Sequence, residues 1–333
     1  MTMAHEKQVK ALGLCSGGLD SILAACMLQD QGIMVEWVAF ETPFFSADNA
    51  RRASINNKIP IIVKDITDRY LPMLKNPPCG YGKNMNPCMD CHALMFRIAG
   101  EMMAETGSNF LFSGEVVGQR PMSQQKKSLR YVEKKSGFDG SILRPLSAKL
   151  LPETPMEQNG LVDREKLGDL SGRGRKPQME MAKQFGVTDY PSPAGGCLLT
   201  SVGYASRLRD LFAHQENVTV TDLAFLAYGR HLRVADGTKI IVGRNQGDNA
   251  SLLGLYRPDQ DVLLQVKSFS GPVTVIPGRC GQDALLRAAA VSAGYSNAPL
   301  DTSVEVSVTQ PEGTILLTVT PIPRADVQDL LII

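Results

Sequence analysis

The sequence predicts an α/β domain, a parallel sheet with helices on both faces, followed by a smaller α+β domain. Three observations carry that reading. Strand-like and helix-like runs alternate through the first 113 residues. The turn Cys15-Ser16-Gly17-Gly18-Leu19-Asp20-Ser21 joins the first strand to the first helix through paired glycines. After about residue 205 the texture shifts to short strand candidates interspersed with a few helices. Parallel strands need crossover connections, and crossover helices cover both faces of the sheet.

Val9–Cys15 is an apolar run of strand length. Leu19, Ile22, Leu23, Cys26 and Met27 then recur at helical spacing, so 19–31 reads as a helix with one apolar stripe. Val35–Phe40, Pro60–Ile66 and Phe110–Ser113 read as further strands, with helix-like segments near 47–58, 67–75 and 91–106. Pro145–Pro155 looks like a connection and Lys176–Phe185 like one more helix. The segment 190–196, Tyr-Pro-Ser-Pro-Ala-Gly-Gly, is a rigid then flexible loop leading into Cys197. Leu208–His214 and Asp222–Tyr228 look helical, followed by strand candidates near 239–243, 262–266 and 272–276. A small-residue helix, Gln282–Ala293, precedes two more strands at 304–308 and 314–320. Domains of residues 1–205 and 206–333 are expected.

At 333 residues the chain is long enough for two cores, and 43% hydrophobic with 21% charged residues is an ordinary globular composition. The polar start before Val9 shows no signal peptide, and no apolar run approaches the ~20 residues that cross a bilayer. A cytoplasmic location without a membrane partner is expected. In that compartment seven cysteines, an odd number, read as thiols, metal ligands or redox groups rather than a disulfide framework.

Paired glycines let backbone N–H groups approach an anion, and the start of a helix adds the positive end of its dipole. Ser16 and Ser21 offer hydroxyls to the same anion, and Asp20 offers a carboxylate to a divalent cation. The spacing and lysine of a Walker A loop are absent. The plainer alternative is a strand–helix turn with Ser16 as its cap. The six residues Ser16–Ser21 resemble the SGG-x-DS pyrophosphate loop (PP-loop) of ATP pyrophosphatases, a HUP-like fold, which implies transfer of AMP to a carbonyl oxygen with release of pyrophosphate.

Cys88-Met-Asp-Cys91-His92 opens a helix-like segment, where the dipole favours ionised thiols. Cys197, preceded by Gly195-Gly196, is the natural third partner. Three thiolates can hold three irons of a [4Fe–4S] cluster and leave the fourth open. A dithiol carrying persulfide sulfur, or a structural zinc completed by His92 or Cys79, are the alternatives. Cys15 and Cys26 lie on apolar faces and read as core, and Cys280 as structural.

Net charge is +1, so no global attraction to a polyanion is implied. Locally, Lys126, Lys127, Arg130, Lys134 and Lys135 form one basic stretch, and Arg173, Arg175 and Lys176 another that suits phosphates of RNA or ATP.

Leu94-Met-Phe-Arg97, Gly114-Glu115-Val-Val-Gly118-Gln119-Arg-Pro-Met-Ser123-Gln124 and Leu143-Arg144-Pro145-Leu146 follow the turn in order. This order resembles the PP-loop domain of the tRNA 4-thiouridine synthetase (ThiI) family over roughly residues 9–197. The C-x-x-C with a distant third cysteine is similar to iron–sulfur tRNA thiolases. The resemblance implies ATP binding by Ser16, Gly17, Gly18, Asp20, Ser21, Gly114 and Gln119, with Mg²⁺ at Asp20. It also implies a site in which Asp20, Cys88, Cys91 and Cys197 carry the chemistry, the three cysteines as cluster ligands.

Two parts of that family are not expected, the THUMP domain before the PP-loop and a rhodanese domain after it. Instead Ile240–Asn249, Asp261-Val-Leu-Leu and Gly271-Pro-Val resemble the NFACT-R domain, an RNA-binding module. That likeness makes Arg244, with Arg230, Arg233 and Arg257, candidate phosphate contacts.

The implied function is an ATP-dependent tRNA uridine sulfurtransferase forming 4-thiouridine. Its partners are tRNA and a small-molecule or protein sulfur donor, and a homodimer is left open. The alternatives are a tRNA 2-thiouridylase, a PP-loop amide-forming ligase with structural zinc, and a non-enzymatic RNA-binding protein.

Overall fold

In a computed structural model the chain forms two units, Met1–Leu198 and Leu199–Ile333, and the structure describes residues 8–192, 196–234 and 236–333. Residues 193–195 of the loop before Cys197, Gly195 among them, lie outside the described residues, as does the stretch 1–7.

The first unit starts β1 (Lys10–Leu14), α1 (Leu19–Gln29), β2 (Met34–Glu41), α2 (Asp48–Asn57), β3 (Ile61–Asp65), α3 (Thr67–Lys75). It continues α4 (Cys88–Thr106), β4 (Phe110–Ser113), α5 (Lys126–Ser136), β5 (Ile142–Leu143), α6 (Pro155–Gln158), α7 (Lys176–Gln184). The five strands are parallel in the order β3-β2-β1-β4-β5. The expected parallel α/β sheet is therefore present.

Its inner strands β1, β2 and β4 are buried on both faces, which is why they read as continuous apolar runs. Ala11, Val35, Trp37, Phe110 and Phe112 join the core that includes Ile22 and Leu23 of α1. The alternate residues Leu12, Val38 and Leu111 are equally buried, and α4 packs against β1 and β4. The chain leaves β1 toward β2 and β3, then returns to place β4 on the other side of β1. That reversal opens a crevice at the carboxyl ends of β1 and β4, the usual ligand position in open α/β sheets.

Sequence reading left several elements of the first unit unassigned. The basic stretch after Gln125 is helix α5, with Leu129 and Val132 on its buried face. Within the connection Pro145–Pro155, a 3-10 turn spans Pro145–Leu150. The short α6 follows, started by a Thr154/Glu157 capping box.

The second unit contains α8 (Val202–His214), α9 (Val220–Phe225), β6 (Arg230–Arg233), β7 (Lys239–Val242), α10 (Gln246–Leu255), β8 (Val262–Val266). It ends with β9 (Val273–Ile276), α11 (Gln282–Gly294), β10 (Val304–Gln310) and β11 (Gly313–Val319). The strands pair antiparallel in the order β11-β10-β8-β9-β7-β6. Small residues of α11, Ala284, Ala288 and Ala289, pack on one face with Ile240, Val242 and Leu264. Ile241, Val273 and Val275 point to the other face, against Phe225 and Leu252.

Strand β6 and helix α10 escaped the sequence reading. Arg-His-Leu-Arg has too little alternation to announce a strand, and Gln-Gly-Asp-Asn is a poor helix start until Asn245 accepts the Asp248 N–H as its cap. Among the described residues no helix is long and apolar enough to cross a membrane.

Gly17 holds φ +73°, and a Cβ there would fall inside the backbone of Asn49 and Ala50. Gly18 has φ −79°, with Ser16 Oγ 3.4 Å from its added Cβ. Gly17→Ala should therefore cost on the order of 3 kcal/mol of first-unit stability, and Gly18→Ala under about 1 kcal/mol. Urea titration followed through Trp37, the chain's single tryptophan and fully buried in β2, reads this difference. Equal midpoints for the two variants would refute the crowding at Gly17.

Candidate active site

The turn after β1 reaches the carboxyl end of the sheet with its helix start uncapped by any side chain. Ser16 is exposed, and its Oγ accepts the Gly18 N–H at 3.4 Å. Ser21 is buried, and its hydroxyl donates to the Gly18 carbonyl at 2.8 Å, so it braces the turn from within. Cys15 lies beneath, a core thiol that burial pushes up to about 11. First-turn amides without side-chain acceptors make an anion site of the α1 start.

Gly114, just past β4, abuts this turn. A Cβ on Gly114 would collide with the Asp20 carbonyl and the Ser21 nitrogen, so only glycine allows the two loops to touch. Gln119 Nε2 donates to Asp20 Oδ2 at 2.9 Å. Burial pushes the Asp20 carboxyl up, against the lowering pull of that hydrogen bond, of Arg175 and Gln178 at the start of α7, and of Arg120. Asp20 Oδ1 is buried with no hydrogen-bond partner. An orphaned carboxylate oxygen amid desolvation is suited to a divalent cation.

Glu115, adjacent to Gly114, is buried and triply bound. Arg144 Nε donates to its Oε2 at 3.0 Å, Ser113 Oγ donates to the same oxygen at 3.1 Å, and His92 Nδ1 lies 2.9 Å from Oε1. Burial opposes its ionisation, yet Arg144 and His92 hold its carboxyl down at about 2. His92 belongs to this network, in contrast to its alternative assignment as a zinc ligand.

Cys88 and Cys91 begin α4, immediately before His92, which this network anchors to Glu115. Tyr70 of α3 lies within electrostatic reach of all three cysteines. Its hydroxyl hydrogen-bonds Cys91, and Cys91, Cys197 and Cys88 all act on its ionisation, which burial above all pushes up. Phe44 and Phe45 clamp the tyrosine ring at centroid distances of 5.7 and 5.6 Å. The Leu198 N–H donates to the Phe44 carbonyl at 3.0 Å, which ties the Cys197 segment to the end of β2. Burial pushes the Cys91 thiol up, with Cys197 and Cys88 adding to the rise and the Tyr70 hydrogen bond opposing it. Asn86 Nδ2 donates to Cys88 Sγ at 3.2 Å.

Among the described residues no group of three or more His, Cys, Asp or Glu side chains is gathered so as to hold a single metal ion. A closed zinc shell does not match that spacing. A cluster asks less, since each thiolate holds a different iron. Cys79 is exposed, its N–H bound to Asp90 and its thiol beside Tyr131. Cys26 and Cys280 pack against the cores of their own units.

Of the basic residues, Arg175 belongs at Asp20, while Arg173 and Lys176 are exposed beside it. Arg244 is differently placed. Its guanidinium grips Asp248 through Nε at 2.5 Å and Nη2 at 3.1 Å, an ion pair within the fold. Arg233 pairs likewise with Asp210, and Arg257 with Asp261 and Asp222. Tyr70, Arg120 and Gln178 carried no sequence signal. The only hint was that Arg120 follows Gln119 in a motif.

Residues 6–149 match the family described as Thiamine biosynthesis protein (ThiI), and residues 229–331 match the NFACT protein RNA binding domain. A protein of Thermotoga maritima named "Probable tRNA sulfurtransferase" is 30% identical over 149 residues, covering 41% of this chain and 36% of that protein. A protein of the same name from Thermoanaerobacter sp. is 31% identical over 146 residues, with the same coverage of each chain. The matches span 36% of the length of these relatives. The crystal structure of a 4-thiouridine synthetase–RNA complex with bound ATP is similar at a TM-score of 0.33 and 18% identity, covering 54% of this chain and 52% of that one. The first unit is thus similar to ThiI and the second to the NFACT RNA-binding module, in agreement with the motifs.

Glu115 titrates below its unfolded value, so its stabilisation is fully present above about 4.5 and lost as pH falls toward about 2. Glu115→Gln should lower first-unit stability at pH 7 by on the order of 3 kcal/mol. The gap between the two proteins should close between pH 4.5 and 2. Trp37 fluorescence in urea at each pH measures it, and a gap independent of pH would exclude the ion network as its source.

Proposed function

We propose that the protein is an ATP-dependent tRNA uridine sulfurtransferase that forms 4-thiouridine. One observation carries the reading: an anion-binding turn with Asp20, and three thiols around Tyr70, belong to the same end of one sheet, linked through Gly114, Glu115 and His92. Sequence similarity to the named tRNA sulfurtransferases over the first unit, and to an RNA-binding module over the second, supports it.

Oxide is a poor leaving group, so the uracil oxygen must be activated before sulfur can replace it. The amides at the start of α1, with Ser16, bind the ATP phosphates, and Arg120 and Arg175 offset their charge. Gln119 holds the Asp20 carboxylate in place for Mg²⁺, which when bound neutralises charge developing on the phosphates. The uracil oxygen attacks the α-phosphorus in line, the bond to the β-phosphate oxygen breaks, and pyrophosphate leaves. A sulfur nucleophile at the hydrosulfide level then adds to the activated carbon, and AMP departs with the original oxygen. No net oxidation or reduction occurs.

Cys88, Cys91 and Cys197 would hold a [4Fe–4S] cluster, which supplies an iron with one open coordination position. Tyr70 orients Cys91, and Phe44 and Phe45 pack on its ring to hold it in place. A small-molecule or protein donor delivers the sulfur.

Anaerobically purified protein given ATP, Mg²⁺, sulfide and unmodified tRNA should release pyrophosphate and produce 4-thiouridine, read by nucleoside mass spectrometry. Asp20→Asn should reduce both products by at least about a hundredfold. Cys91→Ser should abolish thionucleoside while pyrophosphate release persists. Formation of 2-thiouridine alone would reassign the carbonyl, and no tRNA-dependent pyrophosphate release would defeat the proposal.

A further inference from the structure

The second unit divides its arginines into two sets. Arg233, Arg244, Arg257 and Arg279 pair with carboxylates. Arg207, Arg209, Arg230, Arg287 and Arg324 form no such ion pair among the described residues, and of these Arg207, Arg230 and Arg324 line one cavity of about 310 Å³. Arg207 spends one hydrogen bond on the Leu226 carbonyl at 2.9 Å, and its Nε is buried without a partner. Arg230 donates weakly to the Gly243 carbonyl at 3.3 Å. Arg324 donates to the Gly294 and Tyr295 carbonyls at 3.3 and 3.2 Å. The guanidiniums of Arg230 and Arg324 stack on Tyr295 at 5.0 and 5.4 Å from its centroid, which holds two flexible side chains in a fixed fork.

Three cations on one concavity repel each other unless an anion joins them. Burial, then repulsion from Arg244, pushes Arg207 down, and burial with Lys239 and Arg207 keeps His231 on the cavity wall neutral. The carbonyl contacts leave guanidinium N–H groups in excess, and a planar guanidinium fork matches phosphate oxygens. We infer that Arg207, Arg230 and Arg324, positioned by Tyr295, form a binding site for a backbone phosphate of the RNA substrate. This rests on the reading of the protein as an RNA-modifying enzyme. It stands beside Arg244, which pairs with Asp248, as a candidate phosphate contact of this unit.

Each phosphate contact contributes roughly 0.7 to 0.9 to the slope of log affinity against log salt. Full-length protein titrated with a labelled tRNA transcript between about 50 and 200 mM salt measures that slope. The double variant Arg230→Gln/Arg324→Gln removes that one phosphate contact and should flatten the slope by roughly 0.7 to 0.9 and weaken binding on the order of tenfold. The lysine pair, Arg230→Lys/Arg324→Lys, should keep most of the slope, which a purely structural role would not predict. Unchanged melting of the glutamine pair checks that the unit still folds.

An unchanged slope in that pair, or equal flattening by Arg287→Gln on the exposed side of α11, would overturn the site. Loss of inorganic phosphate binding in the variant, read by ³¹P line broadening, with RNA binding intact would reassign the pocket to free phosphate. Wild-type protein that fails to bind tRNA would defeat both this site and the parent reading. Wild-type binding with an unaltered variant would defeat the site alone.

Discussion

A buried carboxylate organises the first unit. Glu115 sits at the end of β4, where desolvation would make an unpaired charge intolerable, and Arg144, His92 and Ser113 supply its partners. Removing one partner from a buried pair of this kind typically costs about 3–5 kcal/mol, because the other charge remains desolvated. The consequence is positional. His92 belongs to the first turns of α4, so the ion network sets where Cys88 and Cys91 stand relative to β4. Gly114, one residue earlier, sets where β4 stands relative to Asp20. Two chemical elements separated by some seventy residues of chain thereby share one frame.

Burial disfavours the charged form in both elements. Asp20 is pushed up despite Gln119, Arg175, Gln178 and Arg120, and Cys91 despite the hydroxyl of Tyr70. Perturbation of this sort, in groups gathered at the switch point of a parallel sheet, is characteristic of reactive sites. The aromatic clamp of Phe44 and Phe45 on Tyr70 extends the frame to Cys197, whose neighbour Leu198 is bonded to the Phe44 carbonyl. Rigid elements thus position groups from α1, α3, α4 and the ends of β2 and β4, as pre-organised chemistry requires.

In the second unit arginine has two distinct employments. Where it meets Asp210, Asp248 or Asp261 it replaces solvent for a largely or fully buried carboxylate. Around Tyr295 it meets carbonyls and a ring, with no carboxylate in ion-pair range among the described residues. Residue type alone does not separate these cases; the nearest carboxylate does.

The strands, the glycine turn and the cysteine pair were legible in the sequence because each is local. Apolar runs declare strands, two glycines declare a tight anion-binding turn, and C-x-x-C at a helix start declares adjacent thiols. Elements with weak patterning, such as β6 and α10, were not legible, since tertiary packing and an Asn245 cap sustain them. Tyr70, Arg120, Gln178 and the place of Arg175 beside Asp20 were equally hidden, as was the commitment of Arg244 to Asp248. By itself the chain's order of residues determined which chemical groups are present and which local turns present them. Which groups meet was decided only by the packed structure, because pairing, desolvation and charge compensation depend on distances across the fold.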